Sequence, residues 1–170
     1  MDTVLETLRA ELADLGNIAD ITRVVLRLFV ACALGACIGW ERERSGAMAG
    51  LRTHMLVALG VAMMIMASQL SGVSQAELSR VLQGIFAGVG FVGAAAIIRP
   101  HDGERVHGVT TAASIWATAS IAAAAGLGLE APAIIATLFA VVILAWLRRV
   151  ERKRNALLPP ATGDDHPGAS

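Results

Sequence analysis

The stretch VVLRLFVACALGACIGW, residues 24–40, decides the fold: it is apolar except for Arg27 and runs directly into the charged sequence ERER at 41–44. Four further apolar runs follow, separated by short polar loops, at 55–70, 81–98, 109–126 and 132–147. A tilted helix needs roughly 17–25 apolar residues to cross a bilayer, so each run approaches the length of one transmembrane helix. The sequence therefore predicts an all-α, polytopic membrane protein built as a bundle of five transmembrane helices.

The composition argues against a soluble protein. Hydrophobic residues make up 55% of the 170-residue chain and charged residues only 16%, whereas soluble domains carry about 25% charged residues. No Asp or Glu falls inside any of the five apolar runs. The formal net charge of zero gives no basis for an acidic partner such as a nucleic acid. The expected partners are therefore the lipid bilayer and other membrane proteins.

The distribution of basic residues predicts the orientation, because cytoplasmic loops carry an excess of Lys and Arg. If the loop at 41–54 is cytoplasmic, then ten of the 14 basic residues lie on the cytoplasmic side. The other four are Arg9, Arg23, Arg27 and Arg80. The opposite orientation reverses this count. We therefore expect the N-terminus outside and the C-terminus in the cytoplasm.

The two ends of the chain differ from its middle, which gives three predicted segments. Residues 1–20 repeat Leu at intervals of three and four, which predicts an amphipathic helix on the membrane surface, or alternatively a partner or self-association helix. Residues 21–150 form the transmembrane domain. Residues 151–170 begin basic and then become rich in Pro, Gly and Asp, which is typical of a disordered tail with no further soluble domain.

Small residues in the apolar runs predict how the helices pack. The pairs Gly35/Gly39 and Gly84/Gly88 are each four residues apart, a spacing that allows close helix approach. Gln83 lies on the same arc as the second pair, and an amide without a partner in lipid costs several kcal/mol. We therefore expect the third helix to be central, with Gln83 and its glycines against other helices.

Hydroxyl side chains form a stripe on the fourth helix, within about 100° of one another. They either pack between helices or line a path for a solute. The residues are Thr110, Thr111, Ser114 and Thr118.

The chain shows no pattern that supports catalysis or a cofactor. The glycines of the third run are not followed by the Gly-Lys-Ser/Thr of a nucleotide-binding loop. Glu41 and Glu43 offer oxygens to a divalent cation, but the interleaved Arg42 and Arg44 favour an ion-pair network instead. We therefore predict no enzyme, no cofactor and no metal site. We expect Glu41, Arg42 and Arg52 to form one ionic cluster.

Four sequence motifs occur in the order, and at the positions relative to the helices, that are typical of one protein family. They are Gly35-x-x-Ile-Gly39-x-Glu41-Arg42, Ala49-Gly50-Leu51-Arg52-Thr53-His54, Gln83-Gly84-Ile85-x-x-Gly88-Val-Gly90-Phe91-Val-Gly93-Ala94 and Gly108-Val-Thr110-Thr111-Ala-Ala-Ser114-Ile-Trp116. Over about residues 24–126 the chain resembles the membrane domain of the MgtC/SapB family. The resemblance carries over a functional motif of Glu41, Arg42, Gly50, Leu51, Arg52, Thr53, Gln83, Gly84, Gly88, Gly90, Gly93, Thr110 and Thr111.

The resemblance implies a bacterial inner-membrane protein linked to growth under magnesium limitation and, in pathogens, to survival inside host cells. It further implies a non-enzymatic regulator that acts on another membrane protein or on a second copy of itself. The alternative is a channel or carrier for Mg²⁺ or a small solute. Because intramembrane acids mark many ion and proton pathways, their absence from the apolar runs favours regulation. Some family members carry a soluble regulatory C-terminal domain, which this chain is expected to lack.

Overall fold

A computed structural model of the chain describes residues 4–7, 17–97 and 107–157, with side chains described as far as Val150. Within these ranges the regular structure is helical. It consists of one helical turn at 4–7 and five long helices, with no strand. The long helices are α1 (Ile18–Arg44), α2 (Leu51–Leu70), α3 (Gln75–Ala95), α4 (Val109–Leu127) and α5 (Glu130–Leu157). The predicted all-α architecture is confirmed.

Each of the five helices is long and apolar enough to cross a membrane, with candidate spans of 19 to 27 residues. About 20 helical residues cover the ~30 Å hydrocarbon core. The helices extend beyond the apolar runs: α1 begins at Ile18, before the run at 24–40, and α5 continues to Leu157. Most of the predicted surface helix at 1–20, the loop at 98–106 and the tail from 158 lie outside the described residues.

Local side chains and glycines set the helix ends. The Asn17 side chain accepts a hydrogen bond from a backbone N–H in the first turn of α1. Ser74 and Glu77 form a reciprocal capping box at the start of α3, which satisfies two backbone donors at once. Gly108 and Gly128 bound α4 with φ of +91° and +82°. This left-handed conformation is readily adopted only by glycine.

The central helix of the bundle is α4. It contacts each of the other four helices, and ten of its 19 residues are buried. Its many alanines let neighbouring backbones approach closely. The prediction of a central third helix is wrong, because among the described helices α3 contacts only α2 and α4.

The closest helix contact is between α1 and α2. A Cβ on Gly35 would lie 2.8 Å from the His54 carbonyl oxygen, and one on Gly39 would lie 2.7 Å from the Leu51 Cα. These distances are too short for any side chain, so both positions need glycine for this crossing. The role predicted for the Gly35/Gly39 pair is confirmed.

The predicted packing face of α3 is wrong. Leu78 and Ile85 are buried against the bundle, whereas Gln83, Gly84 and Gly88 are exposed. A Cβ on either of these glycines would meet nothing within 4 Å. A tight contact needs small residues on only one of the two helices. The alanines of α4 provide that smooth surface, so the bulky side of α3 packs there.

Arg27, the charge inside the first apolar run, joins three helices. Its guanidinium donates to the Gln69 side-chain oxygen at 3.0 Å and to the Gly126 carbonyl oxygen at 3.1 Å. It also lies against Gly128, so it sits at the C-terminus of α4. A cation there satisfies a carbonyl without an intrahelical partner and complements the negative end of the helix dipole.

We expect Arg27→Met to lower the free energy of unfolding by about 1.5–3 kcal/mol, the usual range for a hydrogen bond to a charged group. Equilibrium unfolding in mixed micelles measures this. The control is Arg23→Met, because Arg23 forms an exposed ion pair with Asp20 in the same helix, and such pairs contribute at most about 1 kcal/mol. Equal losses in the two variants would contradict the proposed cap.

Candidate functional site

Several motif residues meet at one end of the bundle, where α1 and α5 end and α2 and α4 begin. We call this the charged end and define it by Glu41, Arg42, His54, Thr110 and Arg148. The remaining motif residues, those of α3 before Gly93, lie on the exposed face of that helix. The structure therefore separates the predicted motif into two surfaces.

Glu41 is the centre of a buried ionic cluster. One of its oxygens lies 3.8 Å from a guanidinium nitrogen of Arg42, and the other lies 3.8 Å from one of Arg148. Glu41 is 8% exposed and Arg42 9% exposed. These contacts are longer than hydrogen bonds. Among the described residues neither Glu41 oxygen, nor Arg42 Nε, nor one terminal nitrogen of Arg148, has a hydrogen-bond partner.

The predicted place of Arg52 in this cluster is wrong. Arg52 is exposed and takes part in no ion pair among the described residues. Consecutive helical residues are about 100° apart, so Arg52 lies about 200° from the fully buried His54. Its side chain therefore leaves the bundle. Arg148 of α5 supplies the second guanidinium instead.

Glu43 has a different role from Glu41. Its carboxylate accepts a hydrogen bond of 2.8 Å from the Leu51 backbone N–H at the start of α2. The N-cap residue Gly50 has no side chain to do this, and a Cβ at Gly50 would collide with Glu43. The end of α1 thereby caps the N-terminus of α2. Gly50 leaves the space that the Glu43 side chain occupies, and Leu51 provides the N–H that it binds.

His54 connects Gly50, at the start of α2, to Ser114 of α4. Its Nδ1 lies 2.8 Å from the Gly50 carbonyl oxygen, and its Nε2 lies 3.1 Å from the Ser114 hydroxyl. A carbonyl only accepts, so Nδ1 carries the proton facing Gly50. The ring therefore ties the start of α2 to the first turns of α4. His54 is fully buried.

The hydroxyl stripe of α4 serves mainly in packing. The Ser114 hydroxyl lies 2.8 Å from the Thr111 carbonyl oxygen and 3.1 Å from His54 Nε2, so its one proton serves either acceptor. Thr118 donates to the Ser114 carbonyl oxygen, and Thr111, Ser114 and Thr118 are at most 4% exposed. Thr110 differs, because it is exposed and faces a cavity next to Arg42. Thr53 is half-buried on α2.

The motif glycines of α3 are not equivalent. Gly84, Gly88 and Gly90 have no neighbour within 4 Å of a virtual Cβ, whereas Gly93 packs against Ala112 of α4 at 3.6 Å. Gly93 is therefore a contact within the bundle. The other three, with Gln83, form a face that none of the described residues covers.

The sequence does not assign Arg148 or His54 to the charged end, and it indicates Ser114 only as part of the hydroxyl stripe. Arg148 counts there only as a topology charge, since nothing local shows that α5 ends beside α1. His54 lies four residues after Gly50, so its bond to that carbonyl could have been foreseen. Among the described side chains, no group of three His, Cys, Asp or Glu residues could hold a metal ion.

These features define a helical membrane protein whose spans meet at one buried ionic cluster. The family model described as "MgtC family" matches residues 28–153. No solved structure matches the chain.

Three curated proteins illustrate the similarity. Protein SrpB of Synechococcus elongatus is 42% identical over 137 residues, which are 74% of this chain and 75% of SrpB. Protein MgtC of Salmonella typhimurium is 39% identical over 82% of this chain, and Protein MgtC of Brucella abortus is 41% identical over 69%. The matches cover 59% and 48% of those two MgtC proteins. The chain belongs to the MgtC family and is a multi-pass membrane protein.

Proposed function

We propose that the protein is a non-enzymatic regulator of the bacterial inner membrane, active under magnesium limitation, that works by binding another membrane protein or a second copy of itself. The observation that carries this proposal is the exposed face of α3. Gln83 presents an amide there, beside Gly84 and Gly88. Regulation by a membrane partner gives this face a role, because a partner helix can pack on glycines and bond the amide.

The energetics favour a partner on this face over lipid alone. An amide without a hydrogen-bond partner in hydrocarbon costs several kcal/mol. The adjacent glycines allow a second backbone to approach closely enough for interhelical hydrogen bonds. Membership of the MgtC family supports the link to magnesium limitation, since proteins named MgtC match most of this chain.

A photo-crosslinking experiment tests whether α3 is covered in cells. A photoreactive phenylalanine analogue at Ala87, next to Gly88, should give a discrete crosslinked product in low magnesium. The same analogue at the exposed Leu138 of α5 serves as the matched control. The mass of the product separates a second copy of this chain from another membrane protein. Equal, diffuse labelling at both positions would remove the basis of the proposal.

We expect Gly88→Leu to leave the bundle folded but to abolish the crosslink at Ala87 and growth rescue of a deletion strain in low magnesium. The physical reason is that a Cβ at Gly88 meets nothing within 4 Å among the described residues, whereas the larger side chain would block a partner helix. Gly60→Leu is the control, since Gly60 of α2 is equally uncovered. Melting curves in detergent verify the fold of both variants. Full rescue by Gly88→Leu would contradict a functional role for this face.

The same proposal places the N-terminus outside and the C-terminus in the cytoplasm, on the basis of the ten-to-four distribution of basic residues. In a variant without Cys32 and Cys37, a cysteine at Ser74 should react with an impermeant thiol reagent from outside. A cysteine at Ala156 should react only after permeabilisation. The reverse pattern would invert the orientation.

Transport is the competing function, and flux measurements distinguish it from regulation. Proteoliposomes that contain the purified protein should take up Mg²⁺ no faster than protein-free liposomes. Uptake that depends on the protein, and that Glu41→Gln abolishes, would replace regulation by transport.

A further inference from the structure

The charged end carries a cavity that the ionic cluster does not fill. Its volume is about 300 Å³, and its polar lining comes from Arg42, Ser45, Thr110 and Arg148. Glu41 lies behind these residues and is not part of the lining. The cavity is therefore lined by two guanidinium groups and by the Thr110 hydroxyl, whereas the Ser45 hydroxyl already donates to the Arg42 carbonyl oxygen at 2.7 Å.

Both guanidinium groups line this cavity. Arg42 is 9% exposed, and among the described residues its Nε and one buried terminal nitrogen of Arg148 have no acceptor, so the contacts with Glu41 do not saturate the two guanidiniums. Their 3.8 Å contacts with Glu41 hold the guanidiniums in place without using the donors in hydrogen bonds. Two cations and one anion leave the cluster with one net positive charge.

The start of α4 adds to this positive field. The N-cap residue Gly108 offers no side-chain acceptor to the first backbone N–H groups of α4, and Thr110 of that first turn lines the cavity. A helix N-terminus of this kind favours anions through its free N–H groups and its dipole. Guanidinium forks match the geometry of a phosphate group.

A second, almost wholly apolar cavity continues from the first. It has a volume of about 400 Å³ and runs between α4 and α5, lined among others by Ala117, Ala136 and Phe139. Thr110, Ile143 and Leu144 line both cavities. A basic cavity and an apolar groove therefore join at shared walls, and the groove lies along helices that span the membrane.

We propose that this combined site binds one anionic phospholipid, with its phosphate between Arg42 and Arg148 and an acyl chain in the groove between α4 and α5. The charge complementarity selects an anionic headgroup, and the apolar groove selects a lipid over free phosphate. Basic pockets between transmembrane helices are a known setting for such headgroups. Lipid binding here does not require the partner on α3.

Native mass spectrometry of the purified protein tests the proposal with phosphatidylglycerol and phosphatidylcholine of equal chain length. We expect one molecule of phosphatidylglycerol to remain bound at energies that remove phosphatidylcholine. Arg148→Gln should weaken retention roughly tenfold, because it removes a charged hydrogen-bond donor. Arg149→Gln, which removes a neighbouring charge that does not line the cavity, should retain wild-type binding.

A substitution in the apolar groove tests lipid binding independently of the ionic cluster. Ala136→Phe fills the groove at an exposed position and should abolish the preference, whereas Ala131→Phe on an exposed position outside the groove should not. Inorganic phosphate alone should neither stabilise the protein nor displace the lipid at millimolar concentration. Equal retention of both lipids, displacement by phosphate, or unchanged binding in Ala136→Phe would each overturn the proposal.

Discussion

Gly39→Leu is expected to destabilise the native bundle by about 3 kcal/mol, because the new side chain forces α1 away from α2. A Cβ alone would lie 2.7 Å from the Leu51 Cα and 3.1 Å from both the Gly50 carbonyl oxygen and the His54 Cβ. Two of these atoms belong to the backbone, so they cannot move aside without separating α1 from α2. Overpacking of a core costs ~1–3 kcal/mol and occasionally more, and a backbone contact of this kind belongs at the upper limit.

The Gly39→Leu substitution should also disturb the charged end, because the contact between α1 and α2 positions its residues. Separation of α1 from α2 removes the Glu43 cap from Leu51 and shifts His54 away from its two partners. We therefore expect Gly39→Leu to melt at least several degrees below the wild type in detergent. Gly60→Leu on α2 is the matched control, with nothing within 4 Å of its Cβ. Similar melting temperatures for the two variants would contradict the α1–α2 contact.

The five helices were predictable because hydropathy and length alone mark a membrane span. Their packing was predictable only in part. Gly35/Gly39 and Gly84/Gly88 have the same spacing, yet within the part of the chain that the structure describes only the first pair packs against another helix. The pattern shows that a close approach is possible but not which surface approaches. That choice depends on the alanines of α4, a partner distant in sequence.

The charged end shows the same limit. The alternation of Glu and Arg at 41–44 predicts an ion-pair network, and Glu41 and Arg42 are in contact. Arg52 is expected to join them because it lies at the entry of α2, from where its guanidinium would reach back towards Glu41, but helical rotation turns it outwards. Arg148 lies more than one hundred residues from Glu41 and joins it only because α5 packs on α1. Ionic partners across helices follow from the arrangement of the bundle, which a single sequence does not specify.

The arrangement of these charges predicts that Glu41→Gln is among the most destabilising single changes at the charged end. The substitution keeps the size of the side chain but removes the one negative charge that, among the described residues, contacts both Arg42 and Arg148. Removal of one partner from a buried ion pair costs about 3–5 kcal/mol. We expect a cost in the lower part of that range, because the Arg148 side chain is 31% exposed.

A double-mutant cycle measures whether the cost arises from the two guanidiniums. Arg148→Gln alone should cost less than Glu41→Gln, since Glu41 keeps Arg42 as its partner. The double variant Glu41→Gln/Arg148→Gln should recover part of the loss, because it removes the repulsion between the buried Arg42 and the half-buried Arg148. We therefore expect the two changes to be non-additive by more than ~0.5 kcal/mol, the usual limit for independent sites.

The same cycle with Arg52→Gln in place of Arg148→Gln discriminates between the cluster in the structure and the one expected from the sequence. Arg52 is exposed and outside the ion pairs, so its change should add to Glu41→Gln without coupling. Equilibrium unfolding in mixed micelles gives the free energies for both cycles. Coupling to Arg52 and additivity with Arg148 would show that the buried cluster is composed as the sequence alone suggested, because only residues in contact share an interaction energy.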